Sequence, residues 1–490
     1  MPSPVVPTGP VLVVPLTGSQ LTRGQWAFSF ALVSSLFFTW GFAYGLLDVL
    51  NAHFQVIFGI NKTQSTLLQL AYFGAYVVFA PIAGIFMRKK GYKAGIHLGL
   101  TLYSLGEMPF RLHLIRTKVL ILLFLIGAVF FWPSAKFAKY GGFVGCTFVI
   151  GCGLASLEVA ANSYIAVLGT PKYAAARLNF SQGFQGIASF AGPLIASRWF
   201  FRGANATKLD TVQWVYLAVA GLGVVLNVLF YFCNLPEIEE EAVLTQVAEG
   251  ETKPKVEPFI RQYRCIFGFV AQMAYCGAQV GVASLAVNFM IEQGVGLSSS
   301  KASQLFSFCQ LTFTFGRFIG VGILQFIDPA LLLSLYAIAC CIFSLAVSLA
   351  PGIAGIGCLF ALFFFESICY PCIFTLGTKN LGIYSKQGSG LIVVGVGGGA
   401  WYPPAQASVA DRVSTRRSYL VPFSGYCAVA IYAIGMVVDQ AAKNGFRVRN
   451  VNEQNHIERN TSLNSSERSN SADQGEKAEE IVEVPGIIKM

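Results

Sequence analysis

The sequence predicts an all-α integral membrane protein of twelve transmembrane helices, arranged as two pseudo-repeated bundles of six. Three observations carry that prediction. Of 490 residues, 54% are hydrophobic, 12% are charged and 50 are glycine, a balance that would leave a water-soluble domain with large exposed apolar surfaces. The apolar residues gather into blocks of roughly 20, the length that crosses a bilayer core, with short polar breaks between them. One longer polar stretch, 234–262, then splits the blocks into two sets.

Residues 1–24 lack a basic region followed by an apolar core and cleavage site, so they read as a cytosolic tail and not as a signal peptide. The first bundle, 25–233, holds apolar blocks at 26–50, 66–87, 143–168, 180–201 and 212–233, with 93–135 set apart. Residues 234–262, with Glu237, Glu239, Glu240 and Glu241 followed by Lys253 and Lys255, read as a cytosolic linker. The second bundle, 263–439, holds blocks at 264–292, 304–326, 329–350, 354–377, 389–410 and 419–439. Residues 440–490 are rich in Asn, Ser, Glu and Lys with almost no aromatics, and such a composition predicts a disordered cytosolic tail.

The formal charge of +10 is spread between the apolar blocks instead of forming one basic domain, which argues against nucleic acid and for a topology signal. With the N-terminus inside, the cytosolic loops collect Arg88, Lys89, Lys90, Lys93, Lys172, Arg177, Lys253 and Lys255. Arg412, Arg416 and Arg417 fall outside, against the rule. Asn61-Lys-Thr and Asn205-Ala-Thr, in outer loops, carry the glycosylation sequon, a short pattern that also arises by chance. Most of the 12 cysteines lie inside apolar blocks without metal-ligand partners and read as reduced packing residues.

An internal repeat supports the two halves. Glu158-Val-Ala-Ala-Asn162 reaches Leu168-Gly169 after five residues, and Glu366-Ser-Ile-Cys-Tyr370 reaches Leu376-Gly377 after the same five, an offset of 208 (158 to 366). Earlier, Arg88-x-x-Gly91 resembles Arg317-x-x-Gly320 at an offset of 229 (88 to 317), which marks Arg88 and Arg317 as a matched loop or gating pair. The second offset is 21 residues larger. Removing 107–127 joins Gly106 to Ala128 and restores one ordinary span, so this segment reads as a retained intron; a genuine insertion that kinks the third span or forms a surface hairpin is the alternative.

An ionisable side chain inside a span is expensive and therefore a functional hypothesis by default. Asp48 ends the first block and Glu158 sits mid-span, making both candidates for proton coupling, since a carboxyl in a low-dielectric cavity can exchange its proton near physiological pH. The plainer readings are a water-facing helix end for Asp48 and an interhelical hydrogen bond for Glu158. Glu158 and Asn162, four apart, share a helical face, as do Asn179 and Gln182, three apart. With Gln279 and Tyr370 they are the candidate substrate-binding residues, because a polyol needs paired donors and acceptors plus aromatic faces; Tyr44, Asn288 and Trp401 could add to them. Glu366 either binds substrate or pairs with Lys379. The run Gly395-Val-Gly-Gly-Gly399 has no preceding strand, so close helix packing or a gating bend fits it better than phosphate binding.

Several segments resemble one known family: Trp40 to Gln55 with Asp48, MRKKGYKAG (87–95), LEVAANSYIAVLG (157–169), RLNFSQGF (177–184), AYCGAQ (274–279), GRFIG (316–320) and YPCIFTLGTKNLG (370–382). They resemble the fucose/galactose/glucose-proton symporters of the major facilitator superfamily, typified by the bacterial L-fucose permease. The resemblance implies alternating access around a central cavity, with Glu158 as proton carrier, Asp48 as a gating or substrate-linked acid, and Asn162, Gln182 and Tyr370 in the cavity. Two departures stand out. Tyr44-Gly45-Leu46-Leu47 replaces the family's asparagine-rich stretch, and the basic loop 88–93 lacks the acid common in the superfamily.

The expectation is thus a monomeric transporter that moves a monosaccharide with a proton, needs the lipid bilayer, and uses no cofactor, metal or nucleic acid. Plasma membrane, cytosolic termini and a fungal source complete the reading. A facilitative uniporter is the alternative, and a non-transporting sensor working through 440–490 is a third. No nucleophile-base or metal constellation suggests an enzyme.

Overall fold

The computed structural model describes residues 20–60, 62–107, 140–199, 210–238, 258–379, 381 and 384–450. Residues 108–127 of the suspected insertion, Asn61 of the first glycosylation sequon and the whole of the second, most of the linker and the side chain of Asp48 lie outside the described residues.

Helices account for nearly all of what is described. The first half runs α1 (Arg23–Phe58), α2 (Leu67–Lys90), α3 (Tyr92–Glu107), α4 (Tyr140–Val167), α5 (Ala174–Trp199) and α6 (Asp210–Phe232). The second runs α7 (Tyr263–Glu292), α8 (Ser299–Phe326), α9 (Pro329–Leu349), the broken pair α10 (Gly352–Glu366) and α11 (Cys369–Thr378), then α12 (Ser385–Val394) and α13 (Tyr402–Arg412), and α14 (Leu420–Asn444). Among the described residues, eight helical stretches are long and apolar enough to cross a membrane. The others depart from that pattern for visible reasons. α5 carries the buried polar residues Asn179, Ser181 and Gln182, and the passage from Ser385 to Arg412 is interrupted by a 3-10 stretch, Gly395–Ala400.

Local signals start these helices where the sequence changes character. Thr22 and Gln25 form a reciprocal capping box at α1, and Gly59, at φ 61°, ends it. Asp328 caps α9, its Oδ1 accepting from Ala330 N at 2.9 Å, with Pro329 pre-set in the first turn. Packing within the first half depends on small residues. A Cβ on Gly41 of α1 would lie 2.1 Å from the carbonyl oxygen of Gln185, so α1 and α5 approach as closely as backbone allows.

The halves meet through α5 against α8 and α2 against α12. At the end of the bundle that carries the linker, Arg88 donates to Gln387 Oε1 at 3.2 Å, and Lys386 pairs with Glu237 at 3.6 Å while lying over the Tyr92 ring. At the opposite end, Thr63 Oγ1 donates to Asp411 Oδ2 at 3.0 Å. All 12 cysteines are free thiols, eight of them buried.

One boundary differs from the sequence expectation. Residues 440–450, assigned by composition to the disordered tail, complete α14 and then fold back on the second half. Gln440 Nε2 donates to Asp328 Oδ2 at 2.8 Å, Asp328 N to Val448 O at 3.0 Å, and Asn450 N to Phe326 O at 2.9 Å. The α8–α9 corner offers backbone groups free to bond, and these hold the segment by its backbone while Phe446 and Val448 remain exposed. Asn450 Nδ2 also spans the halves, donating to Leu324 O at 2.8 Å and to Lys172 O at 2.9 Å.

That clasp has a testable strength. A net hydrogen bond contributes about 1 kcal/mol and one of the two Asn450 side-chain bonds crosses the halves, so Asn450→Ala is expected to favour opening at the linker end by roughly fivefold. Spin labels at the exposed Lys89 and Arg261 would report it as a larger population of long distances. An unchanged distance distribution would mean that the segment merely lies against the bundle.

Candidate functional site

Between the halves lies a narrow cavity of about 30 Å³, room for water and not for a sugar ring. Its walls combine polar side chains from α4, α5, α8 and α10 with an aromatic side from α1 and α2. Trp40 stacks on Tyr44 with ring centroids 5.5 Å apart and planes at 10°, and Tyr44 meets Phe73 edge-on at 6.1 Å. Trp40 Nε1 donates to Tyr76 OH at 2.6 Å, which fixes the indole plane.

Glu158 is buried on α4, a helix surrounded by protein along most of its length, and lines the cavity. Asn162, one turn on, lies beside it as helical spacing requires and is fully buried. Four hydrogen bonds then form a continuous chain. Arg317 Nη1 donates to Gln182 Oε1 at 2.5 Å, Gln182 Nε2 to Asn162 Oδ1 at 3.3 Å, Asn162 Nδ2 to Tyr370 OH at 2.9 Å, and Tyr370 OH to Glu158 Oε1. Every donor points the same way, from the guanidinium to the carboxylate. The chain starts in the second half, passes through two residues of the first, returns to the second at Tyr370 and ends in the first.

The repeat explains why the chain crosses there. Asn162 and Tyr370 are separated by 208 residues, the repeat offset, so repeat-related positions touch where the two halves meet. A break in the helix makes room for this contact. α10 ends at Glu366, Ser367 and Ile368 turn, and α11 restarts at Cys369 with Tyr370 facing α4. Tyr275 OH donates to the Glu366 carbonyl at 2.7 Å, occupying a backbone acceptor at the break.

The structure separates the sequence candidates. Glu158, Gln182, Gln279 and Tyr370 line the cavity together, and Asn162 stands behind them as a link in the chain. Asn179 serves elsewhere: its Nδ2 donates to the Arg317 carbonyl at 2.6 Å, fastening α5 to α8. Tyr44 is in the aromatic wall, whereas Trp401 is half exposed and outside it, as is Asn288. Asp48 belongs to α1. Arg88 sits at the end of α2 against Gln387.

Arg317 is placed differently from its sequence reading as a loop residue matched to Arg88. It lies inside α8, 2% exposed, with its guanidinium 4.6 Å from the Phe313 ring and pointing into the cavity. The motif comparison aligned it to the end of a span, but an arginine inside the apolar block 304–326 was itself the better signal. Gln310, two turns earlier on the same face, also lines the cavity, a polar residue inside an apolar block that no motif marks. Glu366 is buried there too, held by Tyr426 OH at 2.5 Å, so its partner is a tyrosine of α14 and not Lys379.

Comparison with known proteins places this architecture. The Major Facilitator Superfamily profile matches residues 30–400. The chain belongs to that superfamily. A protein named glucose/galactose transporter from Brucella abortus is 30% identical over 426 residues, covering 86% of this chain and 97% of its own length. An L-fucose-proton symporter of Escherichia coli is 28% identical over 424 residues, covering 82% and 92%. The crystal structure of the E. coli fucose:proton symporter superposes with a TM-score of 0.66 at 27% identity, covering 84% of this chain and 99% of the other. A proton:xylose symporter structure, at 13% identity and a TM-score of 0.65, shares the fold.

As a superfamily member the chain is a multi-pass membrane transporter and not an enzyme, and its fold is the twelve-helix arrangement of two bundles. In such a scaffold the cavity between halves is the place where a solute is handled, and a chain of hydrogen bonds laced across it must break whenever the halves separate.

Proposed function

We propose that this protein carries a monosaccharide of the fucose, galactose and glucose class across the membrane together with a proton, by alternating access. The observation that supports the reading most directly is the hydrogen-bond chain from Arg317 to Glu158, which ties a proton-accepting group to both halves and to the cavity wall. The relatives named as glucose/galactose transporters and L-fucose-proton symporters supply the substrate class.

The coupling follows from the chain's polarity. While Glu158 is ionised, its charge holds the Tyr370 proton, and each link behind it is oriented by the next. Protonation removes that charge. The Tyr370 hydroxyl and the amides of Asn162 and Gln182 are then freer to exchange their partners for sugar hydroxyls, while Trp40 and Tyr44 offer flat apolar faces to the ring. Binding of both ligands thus replaces links between the halves by links through the sugar. Asp48 on α1 is assigned a gating or proton-relay role, and Asn179 a structural one. The protein acts as a monomer in the plasma membrane, with both termini cytosolic.

The deciding experiment is uptake of labelled L-fucose, D-galactose and D-glucose into proteoliposomes with and without an inward proton gradient. Gradient-driven accumulation of one of them is expected. Equal uptake under both conditions would identify a uniporter, and no uptake of any would refute the sugar assignment. Both the full chain and a form lacking 107–127 belong in the assay, because removing that segment joins Gly106 to Ala128 into one span of ordinary length.

A further inference from the structure

The mechanism above leaves one buried carboxylate unused, that of Glu366, and one atom of the arginine that starts the chain. Glu366 is fully buried, yet only Oε2 has a partner, the Tyr426 hydroxyl at 2.5 Å; Oε1 has none. Arg317 commits Nη1 to Gln182, and its Nε has no partner. Both side chains line the same cavity. A buried carboxylate kept only for packing would be satisfied at both oxygens, since an unpaired charged atom is costly away from water. Here one oxygen is fastened and the other carries no bond, on a side chain that lines the cavity.

The chemistry of the open atoms is complementary. A carboxylate oxygen only accepts hydrogen bonds and a guanidinium nitrogen only donates them. Two neighbouring hydroxyls on a sugar ring can satisfy both at once, one donating to Oε1 while the other accepts from Nε. Such charge-assisted bonds are stronger and more directional than neutral ones. We infer that Glu366, together with Arg317 Nε, is the second half's recognition site for a vicinal diol of the transported sugar, and that Tyr426 is its positioning residue. The inference rests on the monosaccharide reading above. It adds the group that selects the sugar, on the wall opposite Glu158.

Tyr426 supports the assignment by its own placement. It is fully buried on α14 and directs its hydroxyl at Oε2, which fixes the carboxylate plane and leaves Oε1 in one orientation. The Tyr275 bond to the Glu366 carbonyl holds the backbone of the same residue. Two tyrosines from two helices thus restrain one residue at the edge of a helix break, one at its backbone and one at its carboxylate, a degree of support expected for a recognition group.

The test is a competition profile. Purified protein in proteoliposomes is assayed by exchange of labelled sugar against D-galactose, D-glucose, L-fucose and their monodeoxy analogues. In the unmodified chain, removal of one hydroxyl of the diol is expected to weaken competition about tenfold. Glu366→Gln should weaken the parent sugar about tenfold and abolish the penalty for that same analogue, leaving the penalties at other positions in place. Tyr426→Phe, which keeps the carboxylate but frees it to rotate, should move the profile in the same direction by a smaller factor. A Glu366→Gln protein that exchanges sugar with the original deoxy profile would overturn the inference. If that variant does not assemble, an unaltered profile in Tyr426→Phe overturns it equally. Failure of every sugar to compete in the unmodified chain would defeat the monosaccharide reading itself, an outcome visible before any variant is made.

Discussion

Glu158→Gln is expected to abolish proton-driven accumulation of sugar while preserving exchange to within about threefold. Glutamine matches glutamate in shape, and its carbonyl oxygen can still accept from Tyr370, so the chain through Asn162 and Gln182 to Arg317 keeps its geometry. What is lost is the ability to gain and release a proton. The variant resembles the protonated state permanently, and exchange, which needs only that state, continues. A bulkier chemical change gives the contrasting result. Glu158→Leu leaves the Tyr370 hydroxyl facing hydrocarbon, at a cost of about 1–3 kcal/mol, and should depress exchange as well. Uphill uptake that survives in Glu158→Gln would remove this residue from the coupling mechanism and shift attention to Asp48 and Glu366.

The pattern of success in reading the sequence has physical causes. Apolar blocks are long-range averages over roughly 20 residues, so the spans and the two halves were legible without any tertiary information. Glu158 and Asn162 were legible because a helix of known period fixes which side chains share a face, and because a carboxylate inside lipid demands a reason. Arg317 obeys the same rule and was misplaced because a four-residue motif outweighed the block containing it. Asn179 shows the opposite failure. Its spacing to Gln182 is helical, but whether a buried amide faces a cavity or a neighbouring backbone depends on α8, which no periodicity in α5 reveals. The segment 445–450 was hidden for a related reason: a few backbone bonds to the α8–α9 corner hold it, and composition carries no trace of them.

The glycine run exposes a contact that sequence could only bracket, and it supports the second strong prediction: Gly398→Ala should prevent assembly of a stable protein. The stretch Gly395–Ala400 is a 3-10 helix of six residues, longer than this geometry usually sustains, and it lies between α7 of its own half and α2 of the other. A Cβ on Gly398 would sit 1.8 Å from the Met273 carbonyl oxygen and 2.9 Å from Gly277 N. Both are backbone atoms of α7, so no rotamer change relieves the clash, and the helices must separate at a cost of about 3 kcal/mol or more. Gly397 faces the other way. Its Cβ would meet Val77 Cγ2 at 2.3 Å, a contact between the halves instead of within one. Gly397→Ala should therefore still assemble but close poorly, with its loss confined to transport. Gly322, with open space around it, is the control and should tolerate alanine in both respects. Thermal unfolding in detergent, followed with the exchange assay, separates the three. A Gly398→Ala protein as heat-resistant as the unmodified chain would mean that α7 and the glycine stretch are not in the contact described, and the geometry of the cavity that both support would need revision.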